Sequence, residues 1–290
     1  MPDAPAARSV LVTGTSTGIG HATARALDAR GWRVYAGVRT EGDAARLRAV
    51  LSLRSKPVLL DVRRAGDVAA VRATIAAETG DALDALVNNA GIVMLGAFET
   101  LAPEAIRDLY DVNVFGAFEL VRAFAPLVRR ARGRIVNVGS VSGRATWPFN
   151  GVYASSKFAL RGFTDALRVE LQPFGVRTIL IEPGVFRTAI WRKGAAPPAA
   201  AAVPADPEAA AFFGQAGRWI ARSMAALERT APPPGPVARA IVRALTVGRP
   251  AARYVVGTDA HLQLALDRLP PNLRAAVLGA AMKAIVRRSS

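Results

Sequence analysis

The chain has 290 residues, of which 51% are apolar, with a formal net charge of +16 and no cysteine. A sizeable core is therefore available, and overall disorder, a disulfide framework, a thiolate zinc site and a cysteine nucleophile are excluded. The positive charge is mostly arginine, since lysine occurs only at Lys56, Lys157, Lys193 and Lys283. The arginines are spread along amphipathic helices, which reads as compositional bias helpful to a phosphorylated ligand, not as a nucleic-acid-binding tract. No apolar run reaches the ~20 residues of a membrane span, and Met1–Arg8 has no basic stretch leading into an apolar one, so no signal peptide and a cytoplasmic location are expected.

Strand-like and helix-like segments then alternate. Ser9–Thr13 is a short apolar strand, Gly18–Arg30 a helix, Arg33–Val38 a strand and Asp43–Leu53 a helix. Pro57–Leu60 reads as strand, Ala65–Thr79 as helix and Ala85–Val87 as a short buried strand. Pro103–Val112 and Ala117–Arg130 are predicted as two helices, followed by strand Arg134–Val138, the long helix Val152–Gln172 and strand Val176–Ile181. This order, with near-continuous apolar strands, predicts an α/β fold: a Rossmann-like doubly wound parallel sheet of about seven strands with helices on both faces. Gly194–Glu208 is rich in Ala and Pro and predicts a mobile loop. Helix Ala209–Arg229, a break at Pro232–Pro236, helix Pro236–Thr246 and a last strand at Arg253–Val256 follow. Leu262–Leu269 and Leu273–Arg287 are amphipathic. Residues 1–257 thus read as one domain with a substrate lid over 191–235, and 258–290 as a C-terminal helical extension.

Between the first strand and first helix stands Thr13-Gly14-Thr15-Ser16-Thr17-Gly18-Ile19-Gly20. Glycines there allow a tight turn and close approach of a pyrophosphate, and the helix N-terminus offers free N–H groups to that anion. The second strand ends Val38-Arg39, without the acidic residue that usually binds an adenosine ribose. A carboxylate would repel a 2′-phosphate, whereas Arg39 can grip one, with Ser16 adding a hydroxyl; NADP(H) is the predicted cofactor. Tyr153-Ala154-Ser155-Ser156-Lys157 places a phenol and an ammonium one helical turn apart. Free tyrosine titrates near pH ~10, and a neighbouring ammonium is expected to lower that value towards one useful for proton transfer. Ser140, at the end of a strand, would project at the sheet edge where ligands bind. Ser142 is the alternative to it.

The glycine spacing, Asn88-Asn89-Ala90-Gly91, Tyr153 with Lys157, and Glu182-Pro183-Gly184-Val185-Phe186-Arg187-Thr188 together resemble the short-chain dehydrogenase/reductase family over about residues 8–190. The stretch around Trp147–Leu160 is similar to hydroxysteroid and retinol dehydrogenases within it. The resemblance implies that Tyr153 exchanges a proton with the substrate oxygen, Ser140 hydrogen-bonds it, and Lys157 tunes Tyr153 and holds a ribose. It implies that Asn113 anchors a water relay to Lys157. It also implies cofactor contacts at Asp61 and Val62 (adenine), at Asn89, Ala90 and Gly91, at Pro183 and Gly184, and at Val185 and Thr188 (nicotinamide carboxamide).

Val93, Met94, Leu95, Trp147, Phe149, Phe186, Ile190 and Trp191 are candidates for an apolar pocket holding a bulky carbonyl or alcohol. His21 and His261 have no ligand-type neighbours at metal spacing and read as structural. A homodimer is expected, and the last helix is read as packed on protein in preference to lying on a membrane. Competing readings are a 3-oxoacyl carrier-protein reductase and a non-catalytic NADP-binding regulator.

Overall fold

The computed structural model describes residues 7–190 and 206–287. Among these, seven parallel strands form one sheet: β1 (Ser9–Val12), β2 (Arg33–Val38), β3 (Lys56–Leu59), β4 (Ala85–Asn88), β5 (Arg134–Val138), β6 (Arg177–Pro183) and β7 (Arg253–Val256). Their order is β3-β2-β1-β4-β5-β6-β7. The chain winds outward from β1 and then, after crossing back, outward from β4. Loops leaving these two neighbours diverge and open a crevice at the carboxyl edge of the sheet.

The helices are α1 (Gly18–Asp28), α2 (Glu41–Arg48), α3 (Ala65–Thr79), α4 (Pro103–Tyr110), α5 (Gly116–Arg130), α6 (Gly151–Glu170), α7 (Pro207–Thr230), α8 (Gly235–Thr246), α9 (Thr258–Leu266) and α10 (Pro271–Arg287). The strands are apolar at successive positions because both faces are covered. Side-chain alternation sends Val10 and Val12 to one face, where Leu27 of α1 and Val237, Ile241 and Leu245 of α8 pack. Leu11, Leu86 and Ile135 face the other side, against Ile75 of α3, Phe124 of α5 and Leu167 of α6.

Several boundaries differ from expectation, among them the end of the second helix, at Arg48 and not Leu53; three of the differences have a clear local cause. The two helices predicted around residue 113 are one rod, because a π turn over Asp111–Phe115 joins α4 to α5, with the Gly116 N–H donating to the Asp111 carbonyl. Helix α7 starts at Pro207, just before the predicted Ala209, because Asp206 caps it by accepting the N–H groups of Glu208 and Ala209. Helix α9 starts at Thr258, a turn before the predicted Leu262, because Gly257 turns the chain sharply out of β7 at φ 114°. Trp191 and the predicted loop as far as residue 205 lie outside the described residues.

Candidate active site

The glycine loop is seated by its neighbours. Thr13 Oγ1 accepts the N–H groups of Asn89 at 3.0 Å and Ala90 at 2.9 Å. Asn89 Nδ2 donates back to the carbonyls of Thr13 (2.8 Å) and Gly14 (3.1 Å). Thr15 donates both N–H and Oγ1 to the Gly37 carbonyl, each at 3.0 Å. The loops after β1 and β4 are thus stitched together and tied to β2. A Cβ at Gly20 would collide with the Gly14 carbonyl and the Asn89 amide, so only glycine lets α1 begin this close. Thr17 occupies the N-cap position without its side chain capping the helix. The first turn of α1 thus lacks a Thr17 side-chain cap, and its Gly18 and Ile19 line the crevice, the setting an anion-binding turn needs.

A cavity of about 790 Å³ runs from this loop past Tyr153 to α7. Of the sequence-predicted residues, Gly14, Ser16, Thr17, Gly18, Ile19, Arg39, Asp61, Val62, Asn89, Ala90 and Gly91 line its first arm, and Ser140, Tyr153, Lys157, Pro183, Gly184, Val185 and Thr188 its middle. Val93, Leu95, Trp147, Phe149, Phe186 and Ile190 line the far arm. Gly20, Asn113 and Met94 are not on the wall. Met94 is a correction: it packs into an apolar cluster with Leu101, Leu109 and Val152, because the loop after β4 turns it away from the cavity. Helix α7 supplies wall residues that the sequence reading left out, among them Trp219, Ile220 and Met224. Their apolar spacing looks the same whether a helix faces core or cavity.

At the outer end of the first arm Arg39 is exposed at the tip of β2. Asp61, by contrast, is already engaged. Its carboxylate accepts Arg63 Nε at 3.0 Å, Nη2 at 2.6 Å and the Arg63 N–H at 3.1 Å. Arg63 also reaches Asp108 at 2.6 Å. The Arg63 hydrogen bonds hold the Asp61 carboxyl below its ordinary range, and Arg39 adds to this. The expected adenine contact at Asp61 thus has a competitor, Arg63, that no motif announced.

At the centre, α6 presents Tyr153 and Lys157 on one face. Lys157 Nζ donates to the Val138 carbonyl at 3.2 Å and lies 5.7 Å from the centre of the Tyr153 ring. Burial pulls the Lys157 ammonium down to about 8. Burial pushes the Tyr153 phenol up to about 12, against a smaller opposite pull from its hydrogen bond with Ser140. This differs from the expected lowering of Tyr153 by Lys157: desolvation dominates in so enclosed a site, and it acts against the charged form of both groups. Ser140 Oγ accepts the Ser142 N–H at 3.1 Å and reaches the Pro183 carbonyl at 3.5 Å, so it sits between the Tyr153 helix and the 183–185 turn.

Asn113 stands behind the wall, in the π turn. Its Oδ1 accepts the Ile92 N–H at 2.9 Å, and its Nδ2 donates to the Ile92 carbonyl at 2.9 Å and to Ser156 Oγ at 3.1 Å. Both ends of the amide are committed to fixing the loop after β4 against α6. Asn113 Oδ1 accepts a single N–H, and it borders the same space beside Gly91 as Lys157 Nζ.

In the far arm Phe149 adopts a positive φ of 64°, unusual for a bulky residue, and its carbonyl accepts the Gly96 N–H at 2.8 Å. Such strain, held by surrounding bonds, clusters at ligand sites. Polar side chains stand among the apolar ones at Asn150, Ser223 and Gln263.

The family model for short chain dehydrogenase matches residues 8–198. The chain is 45% identical over 188 residues to 17-beta-hydroxysteroid dehydrogenase type 6 of Bos taurus, covering 63% of this chain and 59% of that protein. It is 42% identical over 181 residues to retinol dehydrogenase 16 of Rattus norvegicus, covering 62% and 57%. The match therefore spans less than two thirds of these relatives' own length. Among solved structures, a short chain dehydrogenase from Burkholderia cenocepacia in complex with NADP superposes with a TM-score of 0.72 at 27% identity, covering 94% of this chain and 97% of that one. One from Burkholderia phymatum in complex with NAD superposes at 0.75 with 25% identity, covering 90% and 92%. The glycine turn, strands β1 to β6 and the residues around Tyr153 all lie inside the stretch that the family pattern matches, and the chain belongs to the short-chain dehydrogenase/reductase family.

Proposed function

We propose that the protein is an NADP(H)-dependent oxidoreductase interconverting a carbonyl and an alcohol on a bulky, apolar, steroid-, retinoid- or lipid-like substrate. The observation that carries this reading is the cavity itself: one continuous space joins an anion-binding turn to an apolar arm, with Tyr153, Ser140 and Lys157 where they meet. When bound, a nicotinamide cofactor supplies the hydride. Gly14–Gly20 would take its pyrophosphate, and Gly91, Lys157 and Thr188 would flank the nucleoside beyond. In reduction, the Tyr153 hydroxyl gives its proton to the substrate oxygen, Ser140 hydrogen-bonds that oxygen, and the Lys157 ammonium stabilises the phenolate left behind. In oxidation the same proton moves the other way. A substrate lid over residues 191–235, a cytoplasmic location and a homodimer belong to the same proposal.

The choice of NADP(H) rests on Arg39, exposed beside an Asp61 whose charge Arg63 already neutralises. Arg39→Ala is expected to lower kcat/KM with NADPH about tenfold or more, with little change for NADH. Equal use of both cofactors, unaltered in the variant, would overturn the preference. The substrate class is tested by following NADPH oxidation with steroid ketones, retinal, acetoacetyl thioesters and aromatic ketones. Turnover confined to the acetoacetyl thioester would reassign the protein to carrier-linked reduction. Tight NADPH binding with no turnover of any carbonyl would point to a regulator.

A further inference from the structure

Residues after the last strand return to the site. Asp259 stands in the first turn of α9, and its Oδ2 accepts the Val185 N–H at 2.7 Å. Gln263, one turn on, donates Nε2 to the same Oδ2 at 3.4 Å, while its Oε1 accepts Trp147 Nε1 at 3.0 Å. Beside them the Gly184 N–H donates to the Val256 carbonyl at 2.8 Å. The Asp259 carboxylate fills the place where a Cβ on Gly184 would stand. Gly184, Val185, Trp147 and Gln263 all line the cavity; Asp259, which does not, bonds Val185 and Gln263 directly and reaches Trp147 only through Gln263. From the other side, Arg274 of α10 donates to the Thr146 carbonyl at 2.6 Å.

We propose that Asp259 is a positioning residue for the reaction: it fixes the Gly184–Val185 turn on the cofactor side of the cavity and, through Gln263, sets Trp147 on the substrate side. The C-terminal extension is then a working part of the active site. The inference rests on the nicotinamide reading above. It also revises the expected contact at Val185, whose N–H is already taken by Asp259 and which keeps only its carbonyl for a ligand. A carboxylate suits the task because it accepts two N–H groups at once and offers no donor to compete with them.

The test uses the full chain and two ligands, NADPH and adenosine 2′,5′-bisphosphate, the half of the cofactor without nicotinamide. Asp259→Ala leaves the Val185 N–H unpaired and is expected to weaken NADPH about tenfold while leaving the bisphosphate unchanged. Asp259→Asn, which keeps an acceptor oxygen, should restore most of the lost affinity. Gln263→Leu should raise KM for the carbonyl substrate and leave both cofactor constants alone. Asp259→Ser, too short to reach Val185, gives the same reading if the alanine variant does not fold. Equal weakening of both ligands, or a fall in Tm with neither constant changed, would show general packing and overturn the proposal. If the wild type binds neither ligand, it is the nicotinamide reading that has failed, and the positioning role falls with it.

Discussion

Tyr153→Phe is expected to keep NADPH affinity and thermal stability and to lose about a thousandfold in kcat, within the range of general acid–base catalysis. The ring is retained, so its packing beside the cluster of Leu101, Leu109 and Val152 is undisturbed. What disappears is a single hydroxyl, hydrogen-bonded to Ser140 and facing the cavity. With its pKa near 12, that hydroxyl stays protonated across the working range and is ready to donate. The measurement is a fluorescence titration with NADPH beside steady-state rates on the best substrate of the screen. A Phe variant that still turned over would move the proton donor to Ser140, Ser142 or solvent, even with the fold unchanged.

The second large effect is at Lys157. Lys157→Met fills a similar volume without charge and should lower kcat/KM about a thousandfold, because the phenolate left by Tyr153 loses its only nearby cation on α6. The pH dependence gives a signature. A lysine is charged below its pKa, so carbonyl reduction by the wild type should fall as pH rises through about 8, and the methionine variant should lack that limb. Stability should move the opposite way. The unfolded lysine, near 10.5, binds more protons than the folded one between about 8 and 10.5, so wild-type stability gains with pH across that window. The Tm of wild type minus that of Lys157→Met should therefore increase from pH 8 to 10. A flat difference would mean that Lys157 is not desolvated as its burial implies.

Sequence and structure agree best where function demands a local pattern. The glycine turn, the Tyr153–Lys157 spacing and the Pro183-Gly184 segment are each written in a few adjacent residues. Each therefore sits on the cavity wall where the βα alternation puts it. What escaped was set by contacts between distant residues. Nothing near Asp259 marks it as the partner of Val185, 74 positions earlier. No motif singles out Arg63, yet it binds Asp61 and Asp108 together. Met94 and Leu95 are indistinguishable by composition, and only the turn of the loop sends one to a packed cluster and the other to the cavity. The direction of the Tyr153 shift has the same origin: spacing reveals a neighbouring charge but not how far the fold buries the pair.

The π turn at Asp111–Phe115 carries an evolutionary implication. It is one residue longer than the α-helical turn it replaces, so the α4–α5 rod contains what amounts to an insertion. Deleting a single residue there would let the rod relax to a regular helix, and α4 and α5 would keep their faces, because the turn closes with one residue fewer. What would be lost is the bulge itself, and with it the bonds of Asn113 to Ile92 and Ser156. Losing one residue from this turn is therefore expected to unseat the loop after β4 while sparing the core faces of α4 and α5, although no residue in the turn takes part in the proposed chemistry.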